Sequence, residues 1–188
     1  RRVLFRSFRF YNKEKNKKDV LNTAAVSILV SSFLFASIFS IFKINISNFT
    51  GISTGYLSII VWILVVDALT VIPFAYLRLK GSAIKYSVVK IINVIIYFSL
   101  NIFLLIFLKD LISSFEILES IYIENYEVAY IFIANLIASI SSLLLLLPFY
   151  FKINYKANIE LLKRMLAYGF PILISGLAFT INETFDKI

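Results

Sequence analysis

Asp67 is the residue of this chain best placed to do chemistry. It stands at the midpoint of an unbroken apolar run, residues 57–77. An ionised Asp at the centre of a membrane-spanning helix costs about 2.5–3.5 kcal/mol on insertion scales, so such a residue normally faces a cavity or a partner. Two roles fit it: a site for a proton, cation or substrate, or a protonated packing residue hydrogen-bonded to a neighbouring helix. Thr70 lies one turn on and shares its face. Pro73 follows. It has no N–H to give the Leu69 carbonyl, which marks a candidate hinge. A second group lies in the next apolar run. Lys90, Asn93, Tyr97 and Asn101 are spaced by three, four and four, so they line one helix face. Lys90 is close enough to the helix end to snorkel. Asn93 and Asn101 are deeper, and suit either a hydrated cavity or hydrogen bonds between helices. A third group closes the chain: Thr180, Glu183 and Lys187 share a face, with Asp186 beside them, and Glu183 with Lys187 is a favourable i, i+4 pair. Gly169, Pro171 and Gly176 loosen the same segment and are further hinge candidates.

Composition narrows what these residues can do. Hydrophobic residues make up 60% of the 188-residue chain and charged residues 16%, with a mean hydropathy of +0.88. A soluble domain carries roughly 25% charged residues, so these charges are too few to cover a water-facing surface, and the chain reads as an integral membrane protein. The absence of Cys and His excludes disulfide scaffolds, thiol catalysis and imidazole chemistry. No metal or cofactor is expected. The net charge of +8 suggests nucleic-acid binding until the charges are mapped. They cluster between apolar runs, which makes them a topology signal.

A hydrocarbon core of about 30 Å needs about 20 apolar residues in helix. Four runs meet this, at 20–42, 57–77, 86–108 and 128–151, and a fifth starts near Leu166. The runs are too long for strands and lack period-2 alternation. The expected fold is an all-α, polytopic transmembrane bundle with four complete spans and most of a fifth. Basic and non-basic connections alternate. Residues 8–19 hold Arg9, Lys13, Lys15, Lys17 and Lys18, whereas 43–56 hold only Lys43. Residues 78–90 hold Arg78, Lys80, Lys85 and Lys90 with no acid. Residues 109–127 set Lys109 against five acids, and 152–165 hold Lys152, Lys156, Lys163 and Arg164. The positive-inside rule puts 8–19, 78–90 and 152–165 in the cytoplasm. The motifs 45–47 and 48–50 match the glycosylation pattern by chance on this reading.

Smaller features complete the pattern. Asn135, Ser139 and Ser142 share a face of the fourth run, as do Thr23, Ser27 and Ser31 of the first; small hydroxylated residues there let helices pack closely. Residues 156–168 place Ile159, Leu162, Met165 and Leu166 on one side, which predicts a short amphipathic surface helix within a linker at 152–165. If a helix enters at Leu166, Glu183, Asp186 and Lys187 lie roughly 25–32 Å along it. They then mark either its outer end or a charged cavity mouth. The first residues, RRVLFRS, look like a translated sequencing adapter, which leaves 8–151 as the remainder of one bundle and 166–188 as the first helix of another. The bias to Ile, Asn, Lys, Phe and Tyr hints at an AT-rich bacterial genome.

Three stretches together resemble bacterial polysaccharide (O-antigen type) flippases, of the superfamily that also holds multidrug and toxic-compound exporters. They are FRFYNKEKNKKDV at 8–20, DALTVIPFAYLRLKGSAIKY at 67–86 and LLKRMLAYGFPILISGLAFTINETFDK at 161–187. The resemblance spans nearly all of 8–188, in texture rather than in any diagnostic motif. It implies two pseudo-symmetric bundles of six helices, of which this chain would hold part: the third to sixth helices, the linker and most of the seventh. It also implies translocation of undecaprenyl-pyrophosphate-linked oligosaccharide across the bacterial inner membrane by alternating access, coupled to protons or sodium. Cationic and polar cavity residues would meet the anionic head group, and acidic ones would take part in coupling. Independently of the family, a pyrophosphate suits Arg and Lys, so Lys90 with Arg78 at the helix mouth would bind it. Asn93, Tyr97 and Asn101 could meet sugar, and Asp67 could titrate. The expected partners are the bilayer, the lipid-linked oligosaccharide and an ion, not nucleic acid.

Other classes compete. A drug or metabolite exporter on the same scaffold would use Asp67 for coupling and show few cavity cations. A membrane glycosyltransferase or polymerase would need an acidic metal-binding cluster or catalytic base in a sizeable loop, and the loops carry none. No enzymatic activity is therefore expected. A structural subunit fits less well with an intramembrane Asp and a polar stripe.

Overall fold

The computed structural model describes residues 17–107 and 127–185. It is all-α. The helices are α1 (Lys17–Thr50), α2 (Thr54–Leu79), α3 (Ala83–Ile102, continued by a π-helical turn at Phe103–Phe107), α4 (Glu127–Tyr150) and α5 (Ile159–Phe185). There is no strand among the described residues. Among the described residues, five helical stretches are long and apolar enough to cross a membrane. Residues 8–16, the acidic stretch 109–126 and the pair Asp186 and Lys187 lie outside the described residues. The chain divides into two units, Ile28–Lys152 and the remainder.

Within Ile28–Lys152 the packed elements are α2, α3 and α4. Phe74 of α2, Val89 of α3 and Leu146 of α4 form a buried cluster, with Leu77 and Tyr86 against it. Contacts between α2 and α4 advance in step along both helices. Tyr56 meets Phe132 (ring centroids 6.4 Å apart), Ser139 bonds Asp67, and Tyr76 meets Phe149 at 5.1 Å. The two helices are therefore parallel, as two spans separated by one intervening span must be. Of the expected face of α4, Ser139 and Ser142 are buried and Asn135 is half-buried; Ala134 and Ala138 are buried as well, and these small side chains permit close approach.

The turn between α2 and α3 is a Schellman motif. The Ser82 N–H donates to the Leu77 carbonyl at 3.0 Å and the Gly81 N–H to that of Arg78 at 3.1 Å. Gly81 takes a φ of +69°, which an L side chain resists. A Cβ there would meet nothing within 4 Å, so the constraint is conformational. Gly81→Ala is expected to lower stability by about 1 kcal/mol and Gly81→Asn by less, because Asn tolerates this backbone region. Thermal unfolding of the two variants in detergent checks the order; equal midpoints would contradict it.

The first helix corrects the sequence boundary. The apolar run ends at Phe42, yet α1 continues to Thr50 through the expected loop and both Asn-x-Ser/Thr motifs. Loss of hydropathy does not stop a helix; a backbone signal does. Gly51 supplies it, with φ +72° and its N–H on the Ser47 carbonyl at 2.9 Å. The Thr50 hydroxyl bonds the Ile46 carbonyl at 2.8 Å and that of Ser47 bonds the Ile52 carbonyl at 2.7 Å. The real connection is only residues 51–53.

The other unit also departs from expectation. Residues 153–158 are not helical, and the amphipathic stretch and the fifth apolar segment form one helix, α5. Met165, Leu166 and Ala167 are good helix formers, and a change in hydropathy between them is not a break. Asn158 caps α5, its Oδ1 accepting the Leu161 N–H at 3.1 Å. Its own N–H donates to Thr23 Oγ1 at 3.1 Å, and the Asn154 N–H donates to Asn22 Oδ1 at 3.3 Å. Thr23 has no exposed surface. Its hydroxyl therefore holds the connection to α5 instead of merely making room for a neighbouring helix.

Candidate functional site

Asp67 and Thr70 share a turn of α2, but their side chains do different things. Thr70 is buried and its hydroxyl donates to the Asp67 backbone carbonyl at 2.8 Å. The Asp67 carboxylate instead accepts a hydrogen bond on Oδ1 from Ser139 of α4 at 2.6 Å. Ser139 is buried and Asp67 is exposed. The carboxylate thus lies over the lip of the α2–α4 seam, held on one side and open on the other. It belongs to an outward stripe of α2 with Leu64, Val71 and Arg78, all exposed. Arg78 is 11 residues on, about 16 Å along the axis. One helix face therefore carries a mid-span acid and, at its basic end, a cation.

Pro73 is fully buried within α2 and leaves the Leu69 carbonyl without its helical donor. The Tyr150 hydroxyl of α4 donates to that carbonyl. Tyr150 itself is buried. The weak point expected at Pro73 is thus closed from the adjacent helix.

Arg78 and Lys90 are brought together by aromatic rings. Phe74 and Tyr86 meet edge to face with centroids 5.2 Å apart. The Arg78 guanidinium lies 4.5 Å from the Tyr86 ring centre and donates from Nη2 to the Tyr86 hydroxyl. Lys90 Nζ lies 4.5 Å from the Phe74 ring centre. Lys80 Nζ lies 5.9 Å from the centre of the Tyr76 ring.

The polar stripe of α3 does not join either group. Asn93, Tyr97 and Asn101 are half-buried. Asn101 Nδ2 donates to the Tyr97 carbonyl of its own helix at 2.8 Å, and Tyr97 packs edge to face on Phe98 at 5.9 Å. In α5 the helix runs unbroken through Gly169, Pro171 and Gly176, and a Cβ at either glycine would meet nothing within 4 Å. Thr180 turns its hydroxyl to the Gly176 carbonyl at 3.0 Å, and Glu183 is exposed near the end. A concavity of about 480 Å³ on α1, lined by Phe35, Phe39, Phe42 and Phe49 among others, is an apolar groove on one helix and offers no chemistry.

Sequence reasoning missed Tyr150, Tyr86 and Phe74 as parts of the site, and took Ser139 for a packing residue only. The orphaned Leu69 carbonyl announced that some donor was needed, but nothing local names a tyrosine 81 positions away. Tyr86 and Arg78 are eight apart, a spacing that means proximity only once the Gly81 turn is known. Comparison with protein families, with curated proteins and with solved structures finds no match for this chain.

Proposed function

We propose that this chain belongs to a bacterial inner-membrane transporter that moves an undecaprenyl-pyrophosphate-linked oligosaccharide between leaflets by alternating access, coupled to a proton or sodium ion. The observation that carries the proposal is Asp67. A carboxylate at the middle of an apolar helix is held by Ser139 on one side and open on the other. Lipid cannot solvate it, so its open side faces water or protein, as a coupling group in a transport pathway does. Arg78 and Lys90 at the basic end of the same hairpin suit a pyrophosphate head group.

The test is flipping by the complete gene product in proteoliposomes, with a fluorescent polyprenyl-pyrophosphate oligosaccharide as substrate. Transport of the label to the opposite leaflet, accelerated by an imposed proton or sodium gradient, is expected. Gradient-driven expulsion of an apolar cation without any flipping would overturn this reading in favour of an exporter. The apolar neighbours of Asp67 on its stripe, Leu64 and Val71, are the observation that keeps an exporter as the second reading.

A further inference from the structure

Residues 78–90 carry Arg78, Lys80, Lys85 and Lys90 and no acid. Two of these cations come from opposite limbs of the α2–α3 hairpin and rest on one aromatic platform, Phe74 with Tyr86. Phe74 is only 6% exposed and is clamped between Val89 and Leu146, so the platform is part of the core. Neither Arg78 nor Lys90 is paired with an acid among the described residues. A ring holds a cation with about 0.5–2 kcal/mol but consumes none of its N–H donors. Arg78 gives one donor to the Tyr86 hydroxyl and keeps the rest of its fork; Lys90 keeps its ammonium donors. Two unneutralised cations with free donors, pinned by a rigid platform, are complementary to a tetrahedral phosphate oxyanion.

The depth identifies its source. Arg78 lies in the last turn of α2. Lys90 is seven residues beyond the start of α3, about 10 Å along the helix, and is exposed on its flank. A cation at that depth reaches the phosphate level of a bilayer by snorkelling, with its stem along acyl chains. We propose that Arg78, Tyr86 and Lys90 form a binding site for the phosphate of an anionic bilayer phospholipid. Arg78 takes two phosphate oxygens through its planar fork. Lys90 supplies the second charge. The Tyr86 hydroxyl, which accepts from Arg78, donates its own proton to one of the same two non-ester oxygens, each of which can accept more than one hydrogen bond. The acyl chains run along the exposed apolar side chains of α3, Ile91, Val94 and Phe98. The site requires only a bilayer, so it stands whether or not the protein is a flippase; in a flippase the substrate pyrophosphate would compete with the phospholipid for the same two cations.

The experiment is native mass spectrometry of the purified complete protein, released from nanodiscs of mixed phosphatidylglycerol and phosphatidylcholine. Retention of phosphatidylglycerol over phosphatidylcholine by several-fold is expected. Combined Arg78→Gln and Lys90→Gln should lower that retention about tenfold, while Lys85→Gln at the hairpin tip leaves it unchanged. Circular dichroism and elution volume check folding. Should the double variant fail to fold, Tyr86→Phe keeps the platform and is expected to lower retention two- to fivefold. Equal retention by wild type and folded variants would overturn the proposal. So would an equal loss from Lys85→Gln, which would mean a diffuse surface potential. Displacement of the lipid by millimolar inorganic phosphate would also overturn it, because free phosphate would then be the ligand.

Discussion

Asp67→Asn is expected to reduce coupled transport at least tenfold while leaving the protein folded and inserted. Asn keeps an oxygen at the position of Oδ1, so the hydrogen bond from Ser139 at 2.6 Å survives the change. What disappears is the ability to carry a charge. Stability should rise, by about 1 kcal/mol, because a neutral amide at mid-span avoids much of the roughly 2.5–3.5 kcal/mol that an ionised carboxylate costs there. The sign is diagnostic. A residue that serves packing alone would lose neither transport nor stability on this substitution, whereas a functional acid gives up activity as the fold gains. Ser139→Ala is the complementary change. It removes the clamp but leaves the charge, and is expected to slow transport while the gradient dependence persists. Proteoliposome flux with and without an ion gradient, together with thermal unfolding in detergent, checks both variants. Wild-type flux from Asp67→Asn at equal protein level would refute the coupling role.

Tyr150→Phe is expected to destabilise the α2–α4 pair by about 1–2 kcal/mol, near the upper end for a hydrogen bond between membrane helices. The size follows from where the bond ends. In an ordinary helix the Leu69 carbonyl would keep its backbone donor after loss of the tyrosine. Here Pro73 has removed that donor, so the part-buried carbonyl is left with none. Pro73→Ala restores an N–H at the right place. In that background Tyr150→Phe should cost a few tenths of a kcal/mol, so the two changes are coupled by about 1 kcal/mol. Unfolding of the four proteins in a denaturing detergent series measures the cycle. Equal costs of Tyr150→Phe in both backgrounds would show that the hydroxyl stabilises something other than the proline gap. Amide exchange at residues 69–72 is expected to rise in Tyr150→Phe alone, since the gap in hydrogen bonding at Pro73 is then closed by no donor.

Much of the architecture was legible because a bilayer simplifies the physics. Spans of α2, α3 and α4 follow from apolar length, and the observed helices, the π-helical turn included, begin and end within about three residues of the runs. The errors at α1 and α5 share one cause. Hydropathy reports where the chain is wet, not where its backbone hydrogen bonding ends, and both helices continue into polar sequence until Gly51 or the Asn158 cap. At the site, Asp67, Pro73, Arg78 and Lys90 stood out by type and depth. Their partners did not, because Ser139 and Tyr150 are ordinary residues made specific only by the parallel docking of α2 and α4. The local partner of the α3 stripe was not legible for a related reason: a shared face does not say what each side chain bonds, and Asn101 turns its amide onto its own helix.

That parallel docking has an electrostatic consequence. Two helices side by side in the same direction place like poles together, and each C-terminal end carries roughly half a negative charge. In a low-dielectric surrounding these ends repel. Arg78 sits in the last turn of α2, and Lys152 follows the end of α4 at Tyr150. Each offsets a dipole end by about 0.3–1 kcal/mol. The basic charges that the positive-inside rule reads as a topology signal thus also offset the repulsion of aligning α2 with α4. A variant that inverted the loop charges would oppose both at once.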